Sequence, residues 1–162
     1  MEFSEIDDKI PAAIWFEAIS PLLREGYRFK ISPQGRSMVP FLAGGRDEAV
    51  LYAPVDEYVY KKNDIVLFKS SAGIHILHRI CRLTNNGIYT LGDGNVTSEG
   101  PFRREEILAV ADYIVRKGKI LRNDDWKYAF LVNVWRVIRP FRPVVIKGYS
   151  MMRRLEGKVR KH

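Results

Sequence analysis

Short hydrophobic runs separated by polar turn segments fill the middle of the chain, from residue 27 to residue 122. Short runs rich in Val, Ile, Leu, Tyr and Phe recur there, and turns containing Gly, Asn or Asp separate them. This spacing is typical of β-strands joined by short connections. The predicted strands lie in the segments EAVLYAPV (48–55), DIVLFKS (64–70), IHILHRICRL (74–83), GIYTLGD (87–93) and ILAVADYIVR (107–116). The pattern predicts a mainly β (α+β) fold, either a coiled, mostly antiparallel β-ribbon sheet or a partly open barrel.

Helical periodicity precedes this region. Residues 10–26 place Ile14, Ala18 and Leu22 at positions i, i+4 and i+8 of an amphipathic helix, and a glycine at position 26 suits its C-terminal cap. Pro21 lies inside the pattern and predicts a kink or a split.

A second helical pattern follows the strands, with Asp124 or Asp125 as the expected N-cap and Pro140 as its end. Its apolar residues are predicted to cluster on one side: Trp126, Phe130, Val134, Val137 and Ile138. The last segment, 144–162, is also helical in texture and rich in Lys and Arg. We therefore expect three regions: an N-terminal amphipathic helix (1–26), a β domain (27–122) and a basic helical extension (123–162).

Composition narrows the class of protein. The chain has 162 residues, 46% of them apolar and 28% charged, as in soluble globular proteins. Cys81 is the only cysteine, which excludes an internal disulfide and offers no structural zinc site. The net charge of +8 is concentrated towards the C-terminus and suggests a membrane surface, a nucleic acid or an acidic partner. Nucleic acid is disfavoured because no helix-turn-helix or zinc-finger spacing accompanies the charge.

Neither end of the chain has the pattern of a membrane-spanning segment. The first residues are acidic where a secretory signal would be basic. The apolar stretch at 126–140 is interrupted by Lys127, Asn133, Arg136 and Arg139, whereas a bilayer crossing needs about 20 mostly apolar residues. We expect a cytoplasmic protein, and two fates for the basic helix stay open. It either lies on a membrane surface or packs its aromatic residues onto the protein's own sheet.

One serine lies in an unusual setting within ISPQGRSMVPFL (31–42). Gly35 permits a positive φ just before Ser37, and Pro40 prevents a helix from continuing after it. Such a turn would expose the hydroxyl of Ser37. Ser, Gly and Pro are also ordinary turn residues, so Ser37 is a candidate nucleophile only if the chain supplies a base.

A base and an acid follow in order along the chain. The strand IHILHRI contains His75 and His78, whose side chains point to opposite faces, so that one of them can face a cleft. The segment LGDGNVTSE then supplies Asp93 and Glu99. A serine hydroxyl needs a base to take its proton, and a histidine base works better when a carboxylate orients it.

Four segments between residues 31 and 115 resemble, in order, the motifs of the signal peptidase I superfamily of serine endopeptidases, which includes LexA-like self-cleaving repressors. They are GRSMVPFL, KKNDIVLF, LHRI and LGDGN. Bacterial housekeeping signal peptidases and LexA-like proteins use a lysine base. The histidine of HRI resembles instead the archaeal, sporulation-associated and endoplasmic-reticulum branch.

The resemblance implies a hydrolase in which Ser37 is the nucleophile and His78 the general base. In the histidine branch the orienting aspartate lies six positions after the aspartate of the Gly-Asp pair, which here corresponds to Glu99. Asp93 is the alternative orienting acid, unless it only holds its turn. The implied substrate is an extended peptide, such as the leader of a small ribosomal precursor, that adds a strand beside the one entering Ser37. No cofactor or metal is expected.

Two departures from the family limit this interpretation. The segment before Ser37 is only a short amphipathic helix, where this branch of signal peptidases has a membrane anchor, and 36 residues leave too little room for a LexA-like DNA-binding domain. The basic extension belongs to neither pattern. Two alternatives therefore stay open: a non-catalytic β-ribbon module that binds a partner or membrane through its basic helices, and a LexA-like protein that cleaves only itself.

Overall fold

The computed structural model describes residues 12–141 as an open antiparallel sheet flanked by two helices. In chain order the elements are α1 (Ala12–Arg24), β1 (Phe29–Ile31), β2 (Asp47–Tyr52), β3 (Ile65–Lys69), β4 (His75–Thr84), β5 (Gly87–Leu91), β6 (Glu99–Phe102), β7 (Ile107–Arg116), β8 (Lys119–Leu121) and α2 (Trp126–Val137). Single 3₁₀ turns cover Arg104–Glu106 and Arg139–Phe141.

The sheet confirms the predicted fold class. All five predicted strands are present, as β2, β3, β4, β5 and β7. The strand order is β1-β2-β7-β3-β4-β5-β6, every pairing is antiparallel, and β8 forms a hairpin with β7. The strand expected to enter Ser37 is present as β1. The strands that the sequence did not single out, β6 and β8, have only four and three residues, too few for a clear hydrophobic run.

Two apolar clusters lie on the two faces of the sheet. The larger cluster includes Leu51, Leu67 and Leu77, and both helices pack over it. The smaller cluster includes Phe68 and Ile80 and has no helix over it within residues 12–141. Because side chains alternate along a strand, residues 75, 77 and 79 of β4 lie on the helical face and residues 76, 78 and 80 on the other.

The first helix continues through Pro21, so the predicted split is wrong. A proline inside a helix removes one backbone hydrogen bond, and burial of side chains on both sides of Pro21 offsets that loss. The predicted C-terminal cap is confirmed, because Gly26 has φ +92° and its N–H donates to the Leu23 carbonyl.

The buried face of α1 is not the predicted one. Ala18 and Leu22 are exposed, whereas the face that meets the sheet consists of Phe16, Ile19 and Leu23. Both sets have helical spacing, and periodicity alone does not tell which set faces the sheet. The larger apolar surface of Phe16, Ile19 and Leu23 explains why this set is buried.

In the second helix, too, the buried face is not the predicted one. Asp125 is the N-cap, accepting hydrogen bonds from the backbone N–H groups of Lys127 and Tyr128. The predicted apolar stripe points mostly to solvent: Trp126, Phe130, Val134 and Val137 are exposed and Ile138 is half-buried. The face packed on the sheet consists instead of Tyr128, Val132 and Trp135. The helix ends at Val137, and Pro140 lies in the following 3₁₀ turn.

The predictions for residues 1–11 and for the basic segment 144–162 lie outside the described residues. Among residues 12–141, no helix has the length and apolar character that a bilayer crossing requires.

Candidate active site

Ser37 lies in a tight turn between β1 and β2, which we call the serine turn (residues 35–42). Gly35 has φ +80°, as its position before the serine predicted. Within the turn, the Leu42 N–H donates to the Met38 carbonyl over 2.9 Å. Met38, Phe41 and Leu42 are buried and Ser37 is half-buried, so apolar anchors behind the serine hold the turn in place.

A buried carboxylate ties the end of this turn to the sheet. Asp47, the first residue of β2, accepts hydrogen bonds from the Ala43 N–H (2.8 Å), the Arg46 side chain and the Lys117 N–H (3.3 Å). Burial acts to raise the pKa of Asp47, but these hydrogen bonds and the Arg46 charge lower it below its ordinary value. The sequence analysis did not single out Asp47, because the partners of a lone strand aspartate are not visible in a local pattern.

His78 meets the backbone of Ser37 across a glycine. A Cβ atom added at Gly92, just after β5, would lie 2.6 Å from the Ser37 carbonyl oxygen and 2.9 Å from His78 Nε2. The Ser37 carbonyl oxygen and His78 Nε2 therefore both lie next to the Cβ position of Gly92, which leaves no space there for a larger residue. Residues 37 and 78, distant in sequence, belong to one site.

The Ser37 hydroxyl and His78, the expected nucleophile and base, do not form a hydrogen bond in this structure. Neither ring nitrogen of His78 has a hydrogen-bond partner among residues 12–141. The Ser37 atom that borders the Cβ position of Gly92, as Nε2 does, is the carbonyl oxygen.

The two histidines of β4 lie on opposite faces, as the alternation predicts. His75 packs on the Phe16 ring of α1, with 4.6 Å between ring centroids. His78 lies on the other face, 5.9 Å from the Phe68 ring centroid, and is almost completely buried. Only His78 approaches the serine turn.

Burial lowers the pKa of His78 to about 4, and the nearby Asp93 charge opposes this shift only weakly. The imidazole is therefore neutral at neutral pH and has one nitrogen available to accept a proton.

Glu99 is the carboxylate that faces the imidazole. Its Oε1 lies 3.5 Å from His78 Nδ1, the nitrogen on the far side from Gly92. Glu99 begins β6, which pairs with β5 through Thr90. Its side chain is 37% exposed, so it connects the buried ring with solvent.

Asp93 is close to His78 but is bound to another residue. Both of its carboxylate oxygens accept hydrogen bonds from Arg79, at 3.0 Å from Nε and 2.9 Å from Nη2. Both side chains of this pair are almost completely buried. Asp93 thus neutralises a buried guanidinium, and of the two candidate acids it is Glu99 that approaches a ring nitrogen of His78.

Arg79 is the centre of a buried polar cluster. Its guanidinium also donates to the Asn63 carbonyl (2.9 Å) and to the Tyr128 hydroxyl (2.8 Å). Burial acts to lower the pKa of Arg79, but Asp93 and Tyr128 raise it above its ordinary value. The sequence held one signal for this cluster, because an arginine next to buried strand residues in LHRI must find a buried partner.

The second helix reaches the same site. The indole N–H of Trp135 donates to the Asp93 carbonyl over 2.5 Å. The Phe41 ring of the serine turn makes edge-to-face contacts with Tyr128 and Trp135. Helix α2, the described part of the predicted extension, therefore packs on the candidate site, and no local sequence pattern pointed to these contacts.

Among residues 12–141, no group of three or more His, Cys, Asp and Glu side chains is arranged to hold a metal ion.

Compared with models of protein families, with curated proteins and with solved structures, the chain matches none of them. The resemblance to signal peptidases thus depends on the four short motifs and stays a prediction.

Proposed function

We propose that this protein is a serine endopeptidase of the signal-peptidase-like type, with Ser37 as nucleophile and His78 as general base. The observation that carries the proposal is the junction at Gly92, where the serine turn meets His78 Nε2. A turn serine with no histidine beside it would have an ordinary structural role. The neutral, buried imidazole next to this turn favours the catalytic alternative.

The proposed reaction begins when Ser37 turns its hydroxyl towards His78 Nε2, since catalytic hydrogen bonds often tighten only with substrate present. His78 takes the hydroxyl proton as Ser37 Oγ bonds to the scissile carbonyl carbon. The protonated His78 then gives this proton to the leaving amine, which leaves an ester on Ser37. Water, deprotonated by His78, hydrolyses the ester and restores both side chains.

Glu99 has a defined part in this sequence. A base with a pKa near 4 is weak, and its proton affinity must rise as the reaction proceeds. The carboxylate 3.5 Å from Nδ1 stabilises the positive charge that develops on the imidazole. The Ser37 backbone N–H contributes one donor to the oxyanion of the tetrahedral intermediate.

The edge of the sheet suggests how a peptide substrate binds. Strand β1 ends six residues before Ser37, and among the strands of residues 12–141 it pairs with β2 alone. An extended peptide that pairs with the other edge of β1 would run towards the serine turn. This mode suits an unstructured leader of a ribosomal precursor, because the backbone groups of an unstructured segment are free to pair with a sheet edge.

A defined mixture of synthetic peptides, analysed by mass spectrometry after incubation, tests the proposal. We expect the wild-type protein to cleave a few peptides at discrete sites, and the Ser37→Ala and His78→Ala variants to cleave none. The control is Ser71→Ala, in an exposed turn between β3 and β4, which should cleave like the wild type. No cleavage by the wild type, or equal cleavage by Ser37→Ala, would contradict the proposal. Intact-mass measurement of the incubated protein shows whether the protein cleaves itself rather than the added peptides.

A second proposal concerns the outer face of α2, which we propose docks on an anionic membrane surface. Exposed aromatic residues favour this role: Trp126 is 73% exposed, Phe130 62% and Phe141 66%. Lys127 lies beside them, with its Nζ 5.6 Å from the Trp126 ring centroid. The chain has a net charge of +8, and each cation near an anionic surface contributes about 1 kcal/mol.

Vesicle co-sedimentation tests this docking. We expect the protein to bind vesicles that contain anionic lipid, at low salt, and not purely neutral vesicles. Phe130→Ser combined with Val137→Ser should weaken binding, whereas the matched pair Val59→Ser and Ile74→Ser, exposed elsewhere, should not. Intact protein that stays in the supernatant with anionic vesicles would overturn the docking and leave the peptidase proposal untouched.

A further inference from the structure

We propose that Trp135 is a positioning residue for the serine turn, acting through the peptide bond between Asp93 and Gly94. This inference rests on the proposed peptidase function. It gives helix α2 a role at the site, although α2 lies outside the four motifs.

One planar peptide unit connects the helix with the serine. Its carbonyl, from Asp93, accepts the indole N–H of Trp135 over 2.5 Å. Its N–H, from Gly94, donates to the Ser37 carbonyl over 2.7 Å. Because a peptide unit is rigid, the indole fixes the direction in which the Gly94 N–H points. Hydrogen bonds on both sides of one amide also polarise and strengthen each other.

Close packing leaves this peptide unit little freedom. A Cβ atom added at Gly94 would lie 2.9 Å from the Arg36 carbonyl oxygen and 3.2 Å from that of Val39. On the other side of Asp93, the Cβ position of Gly92 is bordered by the Ser37 carbonyl oxygen and by His78 Nε2. A displacement of the 93–94 peptide therefore moves the backbone of the serine turn and its spacing from His78 Nε2.

The indole ring supports the same turn by packing. Trp135 meets the Phe41 ring edge-on, with 6.3 Å between centroids and an interplanar angle of 88°. Phe41 is buried, and its N–H donates to the Met38 carbonyl, next to Ser37. Trp135 thus holds the serine turn at two points. Trp135→Phe removes the indole N–H donor and part of the ring, and keeps an aromatic ring beside Phe41.

The first test is hydrogen exchange by NMR on the full chain, which does not depend on cleavage. In the wild type we expect the indole N–H of Trp135 to exchange at least tenfold more slowly than that of Trp126, which is 73% exposed. In Trp135→Phe the Gly94 amide should exchange about five- to tenfold faster, while the matched Trp126→Phe leaves it unchanged. Equal indole rates, or a Gly94 amide unaffected by Trp135→Phe, would overturn the inference.

The second test separates positioning from general stability. With a peptide that the wild type cleaves, Trp135→Phe should lower kcat about tenfold and change KM less than threefold, whereas the control Ser71→Ala should change neither. An unchanged kcat in Trp135→Phe, despite faster Gly94 exchange, would also overturn the positioning role. Absence of cleavage by the wild type would instead contradict the proposed function, and the exchange rates would still report on the hydrogen bonds.

Discussion

Asp93 and Glu99 follow the same strand and lie near the same histidine, yet their surroundings differ. Asp93 is buried and bound by both oxygens to Arg79, whereas Glu99 is 37% exposed and faces His78 Nδ1. If a carboxylate that neutralises a buried guanidinium moves away, the guanidinium is left buried without a counter-charge. A carboxylate beside a neutral imidazole responds when that ring becomes charged. The comparison indicates that Asp93 holds the fold and that Glu99 assists the proposed chemistry.

The largest expected effect is on stability, in Asp93→Asn. This change leaves Arg79 buried without a counter-charge and should lower the free energy of unfolding by about 3–5 kcal/mol. Urea denaturation measures the loss. Asp112→Asn is the matched control, since Asp112 pairs with the exposed Arg28 and Arg122 and should cost less than about 1 kcal/mol. Equal losses of unfolding free energy in the two variants would contradict a larger contribution of the buried Arg79–Asp93 pair to stability.

The next effect is the pH dependence of stability caused by His78. Its pKa falls from 6.5 in the unfolded chain to about 4 in the fold, so the unfolded chain binds more protons between these values. Stability should therefore be complete above pH 6.5 and fall by about 3 kcal/mol as the pH decreases to 4. Urea denaturation at pH 7.5 and pH 4.5 should show a shallower dependence in His78→Gln than in the wild type.

His75→Gln provides the control for this measurement. Burial also lowers the pKa of His75, but His75 is only half-buried against α1 and lies away from the serine turn. We expect His75→Gln to keep most of the wild-type pH dependence. If His78→Gln had the same pH dependence as the wild type, the low pKa of His78 would be wrong.

The smallest effect on stability is expected for Glu99→Gln. A half-exposed contact with a neutral imidazole should change the free energy of unfolding by less than about 1 kcal/mol. In the proposed mechanism kcat should nevertheless fall about tenfold, because the protonated His78 loses its counter-charge. Steady-state cleavage of a peptide substrate measures the change. Full activity in Glu99→Gln would mean that Ser37 and His78 act as a bare dyad.

Local patterns were sufficient for most of the fold. Short β-rich runs between turn signals located the five longer strands, and cap chemistry limited the N-cap of α2 to Asp124 or Asp125. The glycine before Ser37 predicted the positive φ of Gly35. These features depend on residues within a few positions of one another. The sequence also separated the two histidines correctly, because the face of a strand residue follows from counting.

Local patterns failed where a partner distant in sequence decides the outcome. Helix α2 has apolar residues on opposite faces, and the buried face is the one whose Tyr128 and Trp135 have partners at the site. The Arg79–Asp93 ion pair spans 14 positions and the Trp135–Asp93 hydrogen bond spans 42. No periodicity encodes such contacts, so the motifs suggested both carboxylates without separating their roles.

Reaction with a fluorophosphonate probe tests the central claim most directly, since such a probe forms a covalent bond with an activated serine. After incubation at pH 7.5, intact-mass and peptide-mapping mass spectrometry should find one adduct, on Ser37, in the wild type. The adduct should be absent in His78→Ala and should form at the wild-type rate in His75→Ala, whose histidine lies on the opposite face of β4. A wild-type protein that gains no adduct, or a His78→Ala variant labelled at the wild-type rate, would contradict activation of Ser37 by His78.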